Sequence, residues 1–394
     1  MKINVLGIEE NVNSINDIKK YVKNSTITLI NIPHQNSFLM DKSELKYFKS
    51  KNVLNQLNEL ELIKNNFDLC IVSSWRGARL AYLAGLKFII NFVGNDIRIP
   101  PFIKNSKANY FNKSVNGLNF LQRKFYKKIF DDAAVCVGAS DETFGYIEKY
   151  RKDGIRIDRT IVDTELFNLN VKPLNIKKQK FTFFCPQRIG LEKGTDILWE
   201  AIKKCKSDFE VIQCEWYDET SQEAYEKSQE ILKKKPIQVK FIPKIPREDL
   251  PKYYAGYDAI LGEMRLGLLN NIEREAAFLK KPIVCYYNLD FRYLLDGNKI
   301  IAPFLPNSNK PEEIAKIIDK IVESKDFRDE LASKEYEFIK DYANPDKAAR
   351  EWDHVFEKTI KISKFSNNSR IKRVFRYLFY ILSHGANRKD VTLS

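Results

Sequence analysis

Histidine is close to absent: His34, His354 and His384 are the only three, too scattered along the chain for a metal cluster. Cysteine is sparse too, with six residues and no CxxC pair. Five of them, Cys70, Cys136, Cys185, Cys214 and Cys285, lie in or at the ends of apolar, strand-like runs. That placement points to reduced thiols buried as small hydrophobes in a cytosolic protein, and argues against a disulfide framework or a zinc site. Long apolar runs are missing as well. The nearest to the roughly 20 residues of a membrane span, LAYLAGLKFIINFVG, is interrupted by Lys87 and Asn91. The opening MKINVLGIEENVNSINDIKKY turns polar after one short strand and does not read as a signal peptide. With no low-complexity tract or repeat period, the expectation is a globular cytoplasmic protein, either soluble or peripheral on the inner face of the membrane.

What is present is a large apolar content, 44% of 394 residues, enough for two α/β domains rather than one. Lys and Arg exceed Asp and Glu by 66 to 52, a formal charge of +14 that favours anionic partners. Nucleic acid suits the charge but not the pattern, because there is no basic recognition helix or aromatic-studded sheet signature.

Short Val- and Ile-rich runs alternate with helical patterns. KINVLG, TITLIN, FDLCIVS, LKFIINFVG and AAVCVGAS read as parallel strands covered on both faces. A second series runs KFTFFCPQR, FEVIQCEW, IQVKFIP, YDAILG and KPIVCYY, followed by mostly helical patterns. Two tandem doubly wound, Rossmann-like domains result, at 1–167 and 168–344, with the polar stretch 168–180 as the linker and an interdomain cleft as the expected ligand site.

One strand-to-helix loop carries the chemistry. RIGLEKGTDILWEAIKK, residues 188–204, sets Arg188, Gly190, Lys193 and Gly194 between an apolar strand and an amphipathic helix. The glycines allow tight turns, the helix start adds partial positive charge, and the two cations suit a diphosphate; the alternative is ordinary solvated loop cations. In YDAILGEMRLGLLNNIEREAAFLKKPIVCYY, Gly267 permits close backbone approach, Asn270 or Asn271 can cap a helix, and Glu275 can accept hydrogen bonds from ribose hydroxyls.

Three stretches then fall in register. TIVDTELFN (160–168), RIGLEKGTDILWEAI and EREAAFLKKPIV resemble, in order and spacing, the hinge, phosphate loop and glutamate segment of the retaining glycosyltransferases of family 4, which have the GT-B fold. NFVGNDIR (91–98) is similar to the HGSDIR segment of a subset of these enzymes. The resemblance implies transfer of a sugar from a nucleoside diphosphate sugar with retention and without an obligatory metal ion. It makes 1–167 the acceptor-side domain, joined by helices of 345–394 crossing back, and 168–344 the donor-binding domain. Arg188, Lys193 and Glu275 become the catalytic set. Gly190, Gly194, Gly267, Leu268, Leu269 and Glu263 join them as donor-binding positions.

Two departures from the family stand out. Many members carry a glutamate eight residues before the one matched by Glu275, where this chain has Gly267, and a histidine where it has Val93. Glu263, in GEMRLG, either replaces that carboxylate or makes a structural salt bridge. On the acceptor side, Asp96 and Arg98 either line the cleft or pair with each other. Gly7, after the first strand, gives either room at the cleft floor or a plain turn. Arg76 and Arg79, near the start of a helix in SSWRGARLAYLAG, meet either an anionic acceptor or water. Asp163 reads as a hinge or cap residue, and Lys244 and Arg247 as surface charge. Residues 370–383 interleave Arg370, Lys372, Arg373 and Arg376 with aromatic and aliphatic residues, which suits either an anionic membrane interface or a helix packed on the first domain. The acceptor implied is a glycan, a glycolipid or a lipid-linked sugar. The rival readings are a catalytically silent subunit of the same fold and a nucleotide-sugar 2-epimerase-like enzyme.

Overall fold

The computed structural model describes residues 2–9, 14–33, 46–104, 118–139, 141–219, 221–362 and 370–385. His34 lies outside them, as does the side chain of Arg370. The chain forms two compact units, residues 1–161 with 345–394, and residues 162–344.

The first unit is built on a seven-stranded sheet of β1 (Ile3–Ile8), β2 (Ser25–Asn31), β3 (Lys46–Tyr47), β4 (Leu69–Val72), β5 (Phe88–Phe92), β6 (Val135–Gly138) and β7 (Ile155–Arg156). Its order is β3-β2-β1-β4-β5-β6-β7 and every pairing is parallel. Alternate side chains of one strand enter opposite layers, so both faces must be covered. Leu6, Ile8, Val72 and Ile90 pack with Trp75, Leu80, Phe125 and Ile129 on one side. Val5, Ile71, Ile89 and Val137 pack with Ile15, Trp352 and Phe356 on the other. The helix Pro345–Ile360 thus belongs to the first unit, where Asp353 caps the start of β2, accepting from the amides of Lys23 and Asn24 and the Ser25 hydroxyl at 3.0, 3.1 and 2.8 Å.

The second unit repeats the plan with five parallel strands, β8 (Phe181–Cys185), β9 (Phe209–Glu215), β10 (Val239–Pro243), β11 (Ala259–Leu261) and β12 (Ile283–Val284), in the order β10-β9-β8-β11-β12. The helix Thr195–Lys204 buries Leu198, Trp199, Ala201 and Ile202 on one face, and Asn271–Phe278 buries Ala276 and Ala277 on the other. Residues 168–180 run along this unit: Leu174 N–H donates to Lys252 O at 2.9 Å, and Lys178 pairs with Asp258 at 2.6 Å. All six cysteines are free thiols, five buried and Cys205 partly so.

Candidate functional site

Open parallel sheets present ligands beyond the carboxyl ends of their strands, where strand order reverses. In the second unit that point lies between β8 and β11. The loops 186–194 and 262–270 meet there and are tied together. Gln187 Nε2 donates to Gly262 O at 2.6 Å and Met264 N–H to Lys193 O at 3.2 Å. Arg265 reaches back to Leu191 O and forks onto both oxygens of Asp196 at 2.7 and 2.6 Å. Glycine makes this closeness feasible at two positions. Gly194 has φ +67° and a Cβ there would sit 2.9 Å from the Met264 carbonyl carbon; Gly267 has φ +73° and a Cβ would sit 2.6 Å from Asn288 Cβ. Gly190 is extended instead, and packs against Asp218.

The two loop cations differ. Arg188 is already paired, with Nη2 2.7 Å from Glu192 Oε2 and 3.7 Å from Oδ2 of the fully buried Asp218. Lys193 makes no ion pair and no side-chain hydrogen bond among the described residues. Its charge is instead felt by Glu263, which is 1% exposed. The Glu263 carboxylate turns into its own loop, accepting from the amides of Arg265, Leu266 (2.6 Å) and Gly267 (3.1 Å). The salt bridge read as one option from the sequence is therefore absent among the described residues; the carboxylate organises backbone. Burial pushes it up to about 7, against the Lys193 charge and the loop amides, which lower it.

Glu273, which the sequence reading passed over, is equally buried and bridges two segments. Its Oε1 accepts from Glu263 N–H and its Oε2 from Asn270 N–H, both at 2.8 Å. The spacing Asn270-x-x-Glu273 at a helix start was the available signal. The Leu269 amide donates to the Tyr293 hydroxyl at 3.3 Å, whereas the Leu268 amide has no partner among the described residues. Glu275 is 3% exposed and accepts from Arg247 Nε at 2.9 Å. Arg247 is thus not surface charge but the counter-ion of a buried acid, and Lys244 lies 4.4 Å from the Trp216 ring. Twenty-eight residues separate Arg247 from Glu275, and no local pattern foretells such a pair.

In the first unit strand order reverses between β1 and β4. Glu9 stands there with φ +60° and 1% exposure, a residue with no distinguishing mark in the sequence. Its carboxylate accepts from the Ser74 hydroxyl and from Gly77 N–H (3.1 Å), and pairs with Arg76, so the charge of Arg76 is balanced within the fold. Arg79 is buried and lies 5.6 Å from the Tyr380 ring rather than in water. Asp96 and Arg98 do not pair with each other: Arg98 grips Glu142, with Nη2 2.9 Å from Oε2, while Asp96 caps its own loop through Gly94 N–H at 2.8 Å. Burial pushes Asp96 up to about 6, partly offset by the amides of Gly94 and Val93. Gly7 lies inside β1, and its face is filled by Leu29, Ile15 and Ile27, not by open space. Asp163 caps a turn, accepting from Glu165 N–H at 3.1 Å.

Residues 167–338 match the family model described as Glycosyl transferases group 1. The second unit is a glycosyltransferase domain. Among solved structures, HepE of Anabaena in complex with UDP and glucose is similar over 90% of this chain and 100% of its own, at 14% identity and TM-score 0.64. A glycosyltransferase from Rickettsia africae is similar over 91% and 99%, at 16% identity and TM-score 0.62. A UDP-N-acetylglucosamine 2-epimerase from Listeria monocytogenes, described as putative, is similar over 92% and 97%, at 11% identity and TM-score 0.52. At such identities the likeness establishes fold, which is GT-B, with two Rossmann-like parallel-sheet domains. No curated protein matches the chain.

Within the glycosyltransferase domain, Glu263 makes a pH prediction. Its folded value, about 7, stands above the 4.5 of an ordinary glutamate, so the folded state keeps a proton that the unfolded chain has lost. Its contribution to stability is full below about 4.5, is lost as pH rises through about 7, and is level above. The fall in melting temperature of the domain between pH 5 and pH 8 is expected to be smaller in Glu263→Gln than in the wild type. Equal falls would refute the shift.

Proposed function

We propose that the protein is a retaining glycosyltransferase that moves a sugar from a nucleoside diphosphate sugar to a glycan, glycolipid or lipid-linked acceptor. The observation that carries this reading is Lys193, a partly buried cation at the strand-order reversal with no ion pair or side-chain hydrogen bond among the described residues, alongside the Leu268 amide, which has no partner among them either. A cation and an N–H group held ready in this way suit a diphosphate. The glycosyltransferase domain match and the UDP and glucose bound to the Anabaena protein support the same substrate class.

In the proposed step, Lys193 and Arg188 bind the diphosphate and stabilise the charge that develops as the bond from its oxygen to the anomeric carbon breaks. The acceptor hydroxyl forms its bond on the face the diphosphate leaves, and its proton passes to the departing phosphate oxygen. Arg188 stays oriented by Glu192 and Asp218. Glu275, fixed by Arg247, accepts from the ribose hydroxyls. The first unit receives the acceptor, with Arg76 and Asp96 near its own point of reversal.

A melting panel with UDP, GDP, ADP and their sugar conjugates tests this. A nucleotide at about a hundred times its dissociation constant adds about 2.7 kcal/mol of stability. One nucleotide series should raise the melting temperature of the wild type and lose that effect in Lys193→Ala. A folded protein whose melting no nucleotide moves would overturn the proposal.

A further inference from the structure

The helix Arg370–His384 is amphipathic in the unexpected sense. Arg373 and Arg376 face the protein. Arg373 pairs with Glu61 at 2.6 Å, and Arg376 lies 4.4 Å from the Tyr82 ring and donates to Tyr82 O at 3.0 Å. Tyr380, Ser383 and His384 are buried on the same side, with Tyr380 and His384 packed against Phe125.

The opposite side presents Ile371, Val374, Phe375, Leu378 and Leu382, exposed by 68, 52, 67, 48 and 73%. Their spacing of i, i+3, i+4, i+7 and i+11 is one continuous stripe. Asn119 Nδ2 donates to Ser383 O at 3.0 Å, which brings the start of the helix Phe120–Asp132 beside the far end of that stripe. Phe120 and Leu121 stand at that helix start, 58 and 42% exposed. Lys372 and Lys124 are exposed at its margins, Lys124 lying 4.4 Å from the Phe120 ring.

Scattered exposed apolar residues are ordinary, but five in one stripe with two more beside its end call for an occupant. We infer that this face is a docking surface for a bilayer carrying anionic headgroups, with the helix lying in the plane of the interface. At 15 residues the helix is too short to span, and no helix among the described residues is long and apolar enough to do so. A second copy of this chain would cover the stripe only by bringing two molecules of charge +14 together, whereas anionic headgroups attract that charge. The inference stands on this face alone and does not depend on the donor chemistry.

Sedimentation with vesicles of phosphatidylcholine, alone and mixed with phosphatidylglycerol, tests it. The wild type should pellet with the mixed vesicles, less so at high salt. Phe375→Ser combined with Leu378→Ser should lower that binding about tenfold or more while leaving the melting temperature unchanged, since both side chains are exposed. Lys372→Ala with Lys124→Ala should weaken binding only at low salt. A wild type that stays in the supernatant with mixed vesicles would overturn the inference, as would a serine variant that pellets equally. A dimer in light scattering that the serine variant converts to monomer would overturn it in favour of a second copy.

Discussion

Lys193→Ala should lower kcat/KM for the sugar donor by about 10²–10³-fold, the usual loss when one group that stabilises developing charge is removed. The fold should be unaffected, because Lys193 has no ion pair or side-chain hydrogen bond to lose among the described residues. Arg188→Ala is the less clean experiment. Its guanidinium neutralises Glu192 and lies 3.7 Å from the fully buried Asp218, so removing it leaves carboxylates without their cation and costs stability as well as rate. Steady-state donor consumption, with a melting curve for each variant, separates the two. A change in kcat/KM below about threefold in a folded Lys193→Ala protein would remove Lys193 from the chemistry.

The second large effect is steric. Gly267→Ala places a methyl group 2.6 Å from Asn288 Cβ and 2.7 Å from Asn288 N at a residue whose φ is +73°. The left-handed conformation alone costs an L-residue about 1–2 kcal/mol. Backbone cannot retreat as a flexible side chain can, and Gly267 O also accepts from Asn288 N–H at 3.1 Å. The expected loss is about 2–4 kcal/mol in denaturant unfolding. Binding should suffer beyond that, because Gly267 N–H donates to Glu263 and the Leu268 amide follows directly. A variant as stable as the wild type would show that the loop can open at little cost.

Much of the architecture was legible because parallel strands covered on both faces read as continuous apolar runs, and all five runs of the second unit became strands. The loops at 188 and 263 were found from glycines and charges close together in sequence. Their adjacency was not, since it follows from β8 and β11 being neighbours in the sheet although their first residues, Phe181 and Ala259, are 78 positions apart. The same applies to Arg247 with Glu275 and to Glu9 with Arg76, whose partners come from different strand ends. Glu263 shows another limit: its residue type was noticed, but a carboxylate that serves backbone amides looks in sequence like one that serves a ligand. In Arg370–His384 the amphipathic period was plain, while which side would meet the protein depended on Glu61 and Tyr82 being placed to receive arginines.

The cap that Asp353 sets on β2 bears on how the molecule is made. That carboxylate lies about 330 residues downstream of the strand it closes. A ribosome therefore delivers the second unit, contiguous over 162–344, before it delivers the helix Pro345–Ile360 that covers one face of the first sheet. Until then Val5, Ile71 and Ile89 lack Trp352 and Phe356 as their cover. The half synthesised first is thus the half finished last, and its apolar face is the natural client of a chaperone during that interval.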